Sequence, residues 1–186
     1  VMSLVNVLFV ALVMKKDLPK NPGLIIQLGS IYKTISFLIS DKRVRVIGIV
    51  YLLLQCGWGF YGQGVALFLD HVYDYGISDI GLFYGLMGLS TAIASITLQP
   101  KLFAKYSNSN IFIQAGIVLG VGAILVGTVD AQAGQWLLAV ILSVSQLLCY
   151  TALLTMISLA VSDREQGKAM GAAGAGFGLA WFLNDI

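Results

Sequence analysis

Four stretches of this chain, Val46–Leu69, Ile80–Gln99, Ile111–Val129 and Trp136–Val161, contain no Asp, Glu, Lys or Arg. They run for 19 to 26 residues, and about 20 apolar residues in a helix cross about 30 Å of hydrocarbon. Inside lipid the backbone must satisfy its own N–H and C=O groups, so segments of this length and character are expected to be helices. A further run begins at Ala169, and Val1–Met14 is apolar but spans only about two thirds of the needed length. Composition agrees. Hydrophobic residues make up 58% and charged residues 11%, with a mean hydropathy of +0.88, whereas a soluble domain carries about 25% charged residues.

The fold class expected is all-α and integral to the membrane. Val1–Met14 has neither the leading basic stretch nor the small-residue cleavage site of a secretory signal. It reads as the end of a helix that begins upstream, with an intact small protein starting at this point as the alternative. The expected organisation is a helix end at 1–14, a linker at 15–43, and a bundle at 44–186 with spans near 46–69, 80–99, 111–129, 136–161 and 169–186. Such a chain is expected to be truncated at both ends.

Charge placement gives an orientation. Lys15, Lys16, Lys20, Lys33, Lys42, Arg43 and Arg45 precede the first full span, Lys101 and Lys105 follow the second, and Arg164 and Lys168 follow the fourth. Those are all 11 basic residues, on alternate loops. The remaining loops carry Asp70, His71, Asp74, Asp79 and Asp130. The positive-inside rule places the basic loops in the cytoplasm of a multi-pass protein of the cell inner (plasma) membrane. In the linker, Leu24, Ile25, Leu28, Ile31, Tyr32, Ile35, Leu38 and Ile39 recur at helical spacing. Two arrangements fit this pattern: an amphipathic helix on the membrane surface, or a short helix packed on the cytoplasmic ends of the bundle.

Contacts between helices in lipid use small residues and paired polar groups. Gly81, Tyr84, Gly88, Thr91 and Ser95 form one face of the second full span, and Gly167, Gly171, Gly174, Gly178, Trp181 and Asp185 form one face of the last segment. Gly81, Gly88, Gly171, Gly174 and Gly178 are therefore read as helix-packing positions. Tyr51, Gln55, Trp58 and Gly62 share a face of the first span, and Ser143, Gln146 and Tyr150 a face of the fourth. Polar groups are unfavourable against lipid, so these faces should meet other helices or a wet cavity. Candidate substrate contacts are Gln55, Trp58, Tyr84, Thr91, Gln146, Tyr150 and Trp181. Asp185 is the candidate proton-coupling carboxylate if its helix continues, and an interfacial acid if it does not.

Other chemistries find little support. The stretch around Gly167-Lys168 has Ser162 where a phosphate-binding loop needs its first glycine and Ala169 where it needs Ser or Thr. No catalytic motif falls in the spans, so no enzyme activity and no cofactor is expected. Cys56 and Cys149 lie in apolar runs and read as core residues. One histidine near Asp70 and Asp74 is weak evidence of a metal site, and none is expected. Basic residues spread over several loops with a net charge of +2 give no nucleic-acid footprint.

The segment order, together with Arg164-Glu165-Gln166-Gly167-Lys168-Ala169-Met170-Gly171, resembles the second half of a major facilitator superfamily transporter. The likeness runs from the end of its sixth helix into its eleventh. The loop at 164–171 is similar to that of the drug/proton antiporter branch, including tetracycline-efflux-like proteins. Pro100–Asn108 sits where the family carries a second copy of its G-x-L-a-D-r-x-G-r loop, with Leu102 and Lys105 matching but Ala104 and Ser107 replacing the acid and a glycine. The resemblance implies a secondary transporter moving a small molecule by alternating access, with proton-coupled efflux as the expected activity. Its expected partners are the substrate, protons, the lipid bilayer and the N-terminal half of the same protein. The alternatives are a nutrient uptake symporter of the same superfamily and a non-transporting membrane subunit assembled through glycine faces.

Overall fold

The computed structural model describes residues 36–184. They are all-helical, without a strand among the described residues. After a helical stretch at 36–40, six helices follow: α1 (Arg45–Tyr73), α2 (Ile77–Thr97), α3 (Gln99–Lys105), α4 (Asn108–Val126), α5 (Gln132–Leu159) and α6 (Gln166–Asn184). Four of them, α1, α2, α4 and α5, are long and apolar enough to cross a membrane. Large apolar side chains stand exposed along their outer faces, including Leu53, Phe60 and Leu67 on α1 and Ile124 on α4. A surface of that kind is stable against hydrocarbon and not against water.

The ends of the helices follow from local chemistry. Asp74 closes α1 in a left-handed conformation (φ 52°, ψ 39°), which a short polar side chain tolerates better than most. The chain then reverses tightly, and the Asp79 carboxylate accepts a hydrogen bond from the Gly76 N–H at 3.1 Å to cap α2. Ser107 caps α4 by accepting from the Asn110 N–H at 3.4 Å. The stretch at 100–108, expected to be a loop, is largely the short helix α3. Pro100 is admissible there because it lies in the first turn, where backbone N–H groups have no partner within the helix.

The helices assemble around α5, which packs against α1, α2, α4 and α6. In its most apolar stretch 56% of residues are buried, compared with 22% in α1 and 17% in each of α2 and α4. At one end, Phe37, Leu38 and Val44 join Tyr51, Leu153, Ile157, Ala169 and Ala172 in a shared core. Phe37 and Leu38 are thus packed into the bundle while Ile39 stands exposed; the part of the expected linker helix before residue 36 lies outside the described residues. At the other end, Tyr75, Phe83, Met87, Leu69 and Ala139 form a second core with Trp136 against it. Here the Trp136 indole N–H donates to the Tyr75 hydroxyl at 2.7 Å. Tyr73 donates to the carbonyls of Val129 and Asp130 at 3.2 and 3.1 Å, tying the α1–α2 turn to the α4–α5 turn.

Among the described residues nothing packs closely on the glycines expected at helix contacts. A Cβ placed on Gly81, Gly88, Gly171, Gly174 or Gly178 would meet nothing within 4 Å. The inward face of α6 is instead the neighbouring stripe Ala169, Ala172, Ala173, Gly176 and Ala180, and that of α2 carries Phe83, Met87 and Ala94. Toward the rest of the described bundle α6 thus turns small residues and α2 larger apolar ones. Glycine does enable contact at other positions. A Cβ on Gly176 would fall 2.7 Å from Leu52 Cδ2, and one on Gly122 would fall 2.7 Å from Leu142 Cδ2. On Gly48 it would strike the Leu38 carbonyl, which is backbone and cannot swing aside.

An ionic clasp closes the end where Phe37 sits. The Arg43 guanidinium donates to both Glu165 oxygens at 2.9 and 3.1 Å and to both Asp41 oxygens at 3.1 and 2.8 Å. It thereby joins the segment before α1 to the turn before α6, in the bidentate geometry that makes arginine–carboxylate pairs strong. Ser162 adds a donor to Glu165 at 2.8 Å, and the Lys168 ammonium lies 4.4 Å from the centre of the Phe37 ring.

Two outcomes are expected. Gly48→Ala, which must push the 36–40 stretch off α1, should lower stability by about 1–3 kcal/mol as overpacking does, read as thermal unfolding in detergent; Gly171→Ala should leave the unfolding temperature unchanged or raised. The second concerns pH. The Arg43 guanidinium holds Asp41 down at about 2, and the same group, aided by Ser162, holds Glu165 at about 2. Carboxyls depressed on folding contribute stability that is full above their ordinary values of 3.8 and 4.5 and is lost as pH falls toward about 2. The unfolding temperature should therefore drop across that window, and Arg43→Gln should remove most of the difference.

Candidate functional site

The polar faces of α1 and α5 meet near the middle of both helices. Gln146 Nε2 donates to Gln55 Oε1 at 3.1 Å, and the two residues are 6% and 1% exposed. In a medium without water each amide needs a partner, and leaving one unsatisfied costs about 1–3 kcal/mol. The helical period does the placing: Ser143, Gln146 and Tyr150 fall on one face of α5, and Gln55 and Trp58 on one face of α1.

A cavity of about 250 Å³ opens beside this pair. It is lined by Gln55 and Trp58 from α1, Thr91 from α2, Ser143, Gln146, Leu147 and Tyr150 from α5, and Phe177 and Trp181 from α6. Four helices thus contribute to it. The Phe177 and Trp181 rings lie 5.8 Å apart at 33°, forming one aromatic wall. The small hydroxyls are occupied within the protein. Thr91 donates to the Gly88 carbonyl at 2.8 Å, and Ser143 is 3.1 Å from the Val140 carbonyl and 2.8 Å from Ser90 Oγ. Two buried polar atoms of these residues, Gln146 Oε1 and Trp181 Nε1, have no hydrogen-bond partner among the described residues.

Six of the residues expected to contact substrate, Gln55, Trp58, Thr91, Gln146, Tyr150 and Trp181, are brought to this one cavity. Tyr84 is not among its lining residues. Its hydroxyl donates to the Gly62 carbonyl and so bridges α2 to α1. Asp185 lies outside the described residues. Phe177 and Ser143 line the cavity without having been singled out as substrate contacts, although Ser143 shares the polar face of α5. Asn184 is also new: its Nδ2 donates to the Cys56 carbonyl at 3.3 Å, and its side chain fills the space that the absent Cβ of Gly59 leaves. Nothing in the sequence pattern pointed to that pairing, because it joins residues on two different helices.

A second, larger hollow of about 440 Å³ lies between α1, α4 and α5 and shares Trp58 as a wall. Its lining is Val50, Leu53, Leu54, Phe112, Leu119, Leu142 and similar groups. With no amide or hydroxyl beyond Tyr61 it offers nothing to orient a polar ligand, so the smaller cavity is the better candidate despite its size. Cys149 is buried with its thiol 3.9 Å from the Phe112 carbonyl. His71 and Asp70 are exposed, and among the described residues no three metal-ligating groups come together.

The sequence profile of the Major Facilitator Superfamily matches residues 1–184. The chain belongs to that superfamily. Neither a curated protein nor a solved structure matches it.

The amide pair should show strong coupling. Gln55→Leu or Gln146→Leu alone strands one buried amide and should lower stability by about 1–3 kcal/mol, whereas the double replacement should cost less than the two single effects combined. Unfolding of the three variants in the same detergent measures the difference.

Proposed function

We propose that this protein is a secondary active transporter that moves a small molecule across the cell inner membrane by alternating access, and that the residues described here are part of its C-terminal helical bundle. The observation that carries the reading is the buried Gln55–Gln146 pair at the wall of a cavity ringed by Trp58, Tyr150 and Trp181. Polar side chains within membrane helices face the bundle interior or a wet cavity, where they pair with one another or meet a ligand. Superfamily membership supports the transport activity.

The remaining parts of the reading rest on sequence. The loop at 164–171 resembles that of drug/proton antiporters, which favours efflux over uptake. Alternate basic loops place Arg43, Lys101 and Lys168 on the cytoplasmic side. In this reading the open glycine stripes of α2 and α6, which none of the described residues covers, face the N-terminal half of the transporter and allow the two halves to slide closely. Asp185 carries the proton that drives the cycle.

Transport in proteoliposomes holding the full-length protein under an imposed proton gradient tests this. Gln146→Ala should raise KM by about tenfold, as expected for one lost hydrogen bond of about 1.4 kcal/mol. Asp185→Asn should abolish accumulation driven by the gradient and spare exchange of substrate. Gradient-driven transport unaltered in both variants would remove these site assignments. Absence of any transport over a broad substrate panel would favour the membrane-subunit alternative.

A further inference from the structure

A third hollow, away from the amide pair, lies between α3, α4 and α5 and holds about 400 Å³. Leu98, Leu102 and Tyr106, on and beside α3, wall one end of it, and the facing surfaces of α4 and α5 wall the rest. On α4 the lining runs from Ile111 to Val118, roughly 10 Å of helix. Leu98, Tyr106 and Val118 are exposed, so the hollow is a groove open to the outside of the described bundle. Its lining is apolar apart from Tyr106, Gln114 and Ser145. Because α3 joins the ends of two membrane-length helices, it lies at the level of the lipid headgroups, and the groove leads from it toward the hydrocarbon. Lys101 and Lys105 stand one turn apart on α3, both exposed, and Lys105 Nζ is 5.3 Å from the centre of the Tyr106 ring. A cation therefore sits against one wall of an apolar groove. No carboxylate answers it. The sequence has no Asp or Glu between Asp79 and Asp130, α5 carries none either, and the ion pairs among the described residues belong to Arg43.

From this juxtaposition we infer that the groove binds one anionic phospholipid, its phosphate held by Lys101 and Lys105 and an acyl chain laid between α4 and α5. Each part of the lipid meets matching chemistry. The phosphate supplies the negative charge that every helix around the groove lacks, and the two lysines reach it with their apolar stems against the leucines of α3. Gln114 and Ser145 can donate to ester oxygens beneath the headgroup, and the aliphatic lining beyond them suits a hydrocarbon chain. A free phosphate would leave the apolar groove unused. A zwitterionic lipid brings its own cation beside two lysines, which cancels much of the attraction. The inference is independent of the cavity at Gln55 and Gln146 and needs only that α3 lies at a membrane surface. With the orientation proposed above, that surface is the cytoplasmic one, where anionic lipid attracts basic residues.

Phosphatidylglycerol and phosphatidylcholine with the same acyl chains, titrated into the purified full-length protein in neutral detergent, test the site, with native mass spectrometry counting the lipid retained. Phosphatidylglycerol should saturate a site of one molecule per chain and bind about tenfold or more tightly than phosphatidylcholine. Lys101→Gln combined with Lys105→Gln should weaken it about thirtyfold, from two lysines at about 1 kcal/mol each. Lys42→Gln, which removes an exposed lysine before α1, should leave it unchanged. Val118→Trp, which puts an indole into the groove, should weaken it about tenfold, the worth of roughly ten lost carbon–carbon contacts. If that variant fails to fold, the two exposed lysines decide. Equal retention of the two lipids overturns the assignment, and so does an equal loss from Lys42→Gln, which would mark a diffuse surface charge. Glycerol 1-phosphate binding as tightly as the lipid would make this a site for a free phosphate and sink the lipid. Absence of saturable binding, the result if another segment of the protein or a second copy covers the groove, also overturns it.

Discussion

A side-chain amide inside hydrocarbon has to be answered by another polar group, and the bond between Gln55 and Gln146 is the answer this bundle uses. It fixes the rotation of α1 against α5, because only one face of each helix carries the amide. Once those faces are turned toward each other, the rest of the placement follows. Leu138, Leu142, Leu153 and Ile157 on α5 are directed into the bundle, Tyr51 reaches the Ala173 carbonyl on α6 at 3.2 Å, and the outer faces of α1 and α4 are left to lipid. The favourable energy along those faces comes from packing and from matched polar groups, since hydrocarbon provides little hydrophobic drive between helices.

The two ends of the bundle are tied by different chemistry. At one end the Arg43 clasp and the buried Phe37 and Leu38 hold α1 to α6. At the other, Tyr73, Tyr75 and Trp136 bond the turns to one another, with aromatic rings of the kind that settle at a membrane interface. Between them the middle is comparatively open, and the cavity lies there.

Much of this was legible in one dimension. The polar positions Gln55, Trp58, Gln146 and Tyr150 could be chosen from period alone, because residues of their type are rare in apolar spans and three- and four-residue steps share a face. Trp181 was chosen for a different reason, its place on the glycine stripe of α6, and it reaches the cavity because α6 turns the edge of that stripe toward α1. The glycine stripes of α2 and α6 meet no described residue. Small residues occur on two adjacent faces of α6, and sequence gives no way to tell which one meets α1; Leu38 and Leu52, supplied from elsewhere in the chain, decide in favour of Ala169, Ala173 and Gly176. Asn184 against Gly59, and Arg43 against Glu165, were invisible for the same reason. Both pairs join residues more than a hundred positions apart.

Length, apolarity and the absence of charge in the spans were by themselves enough to determine that this protein is a helical membrane protein, because a chain in lipid has few ways to satisfy its backbone. The arrangement of segments and the 164–171 loop carried the superfamily as well, since topology in a membrane is written in the order of spans and loops. Which faces touch, which glycines are needed and which polar atoms stay unanswered were decided only by the tertiary structure. Those outcomes depend on the rotation of each helix about its axis, and that rotation is set by side chains from other helices that no local pattern contains.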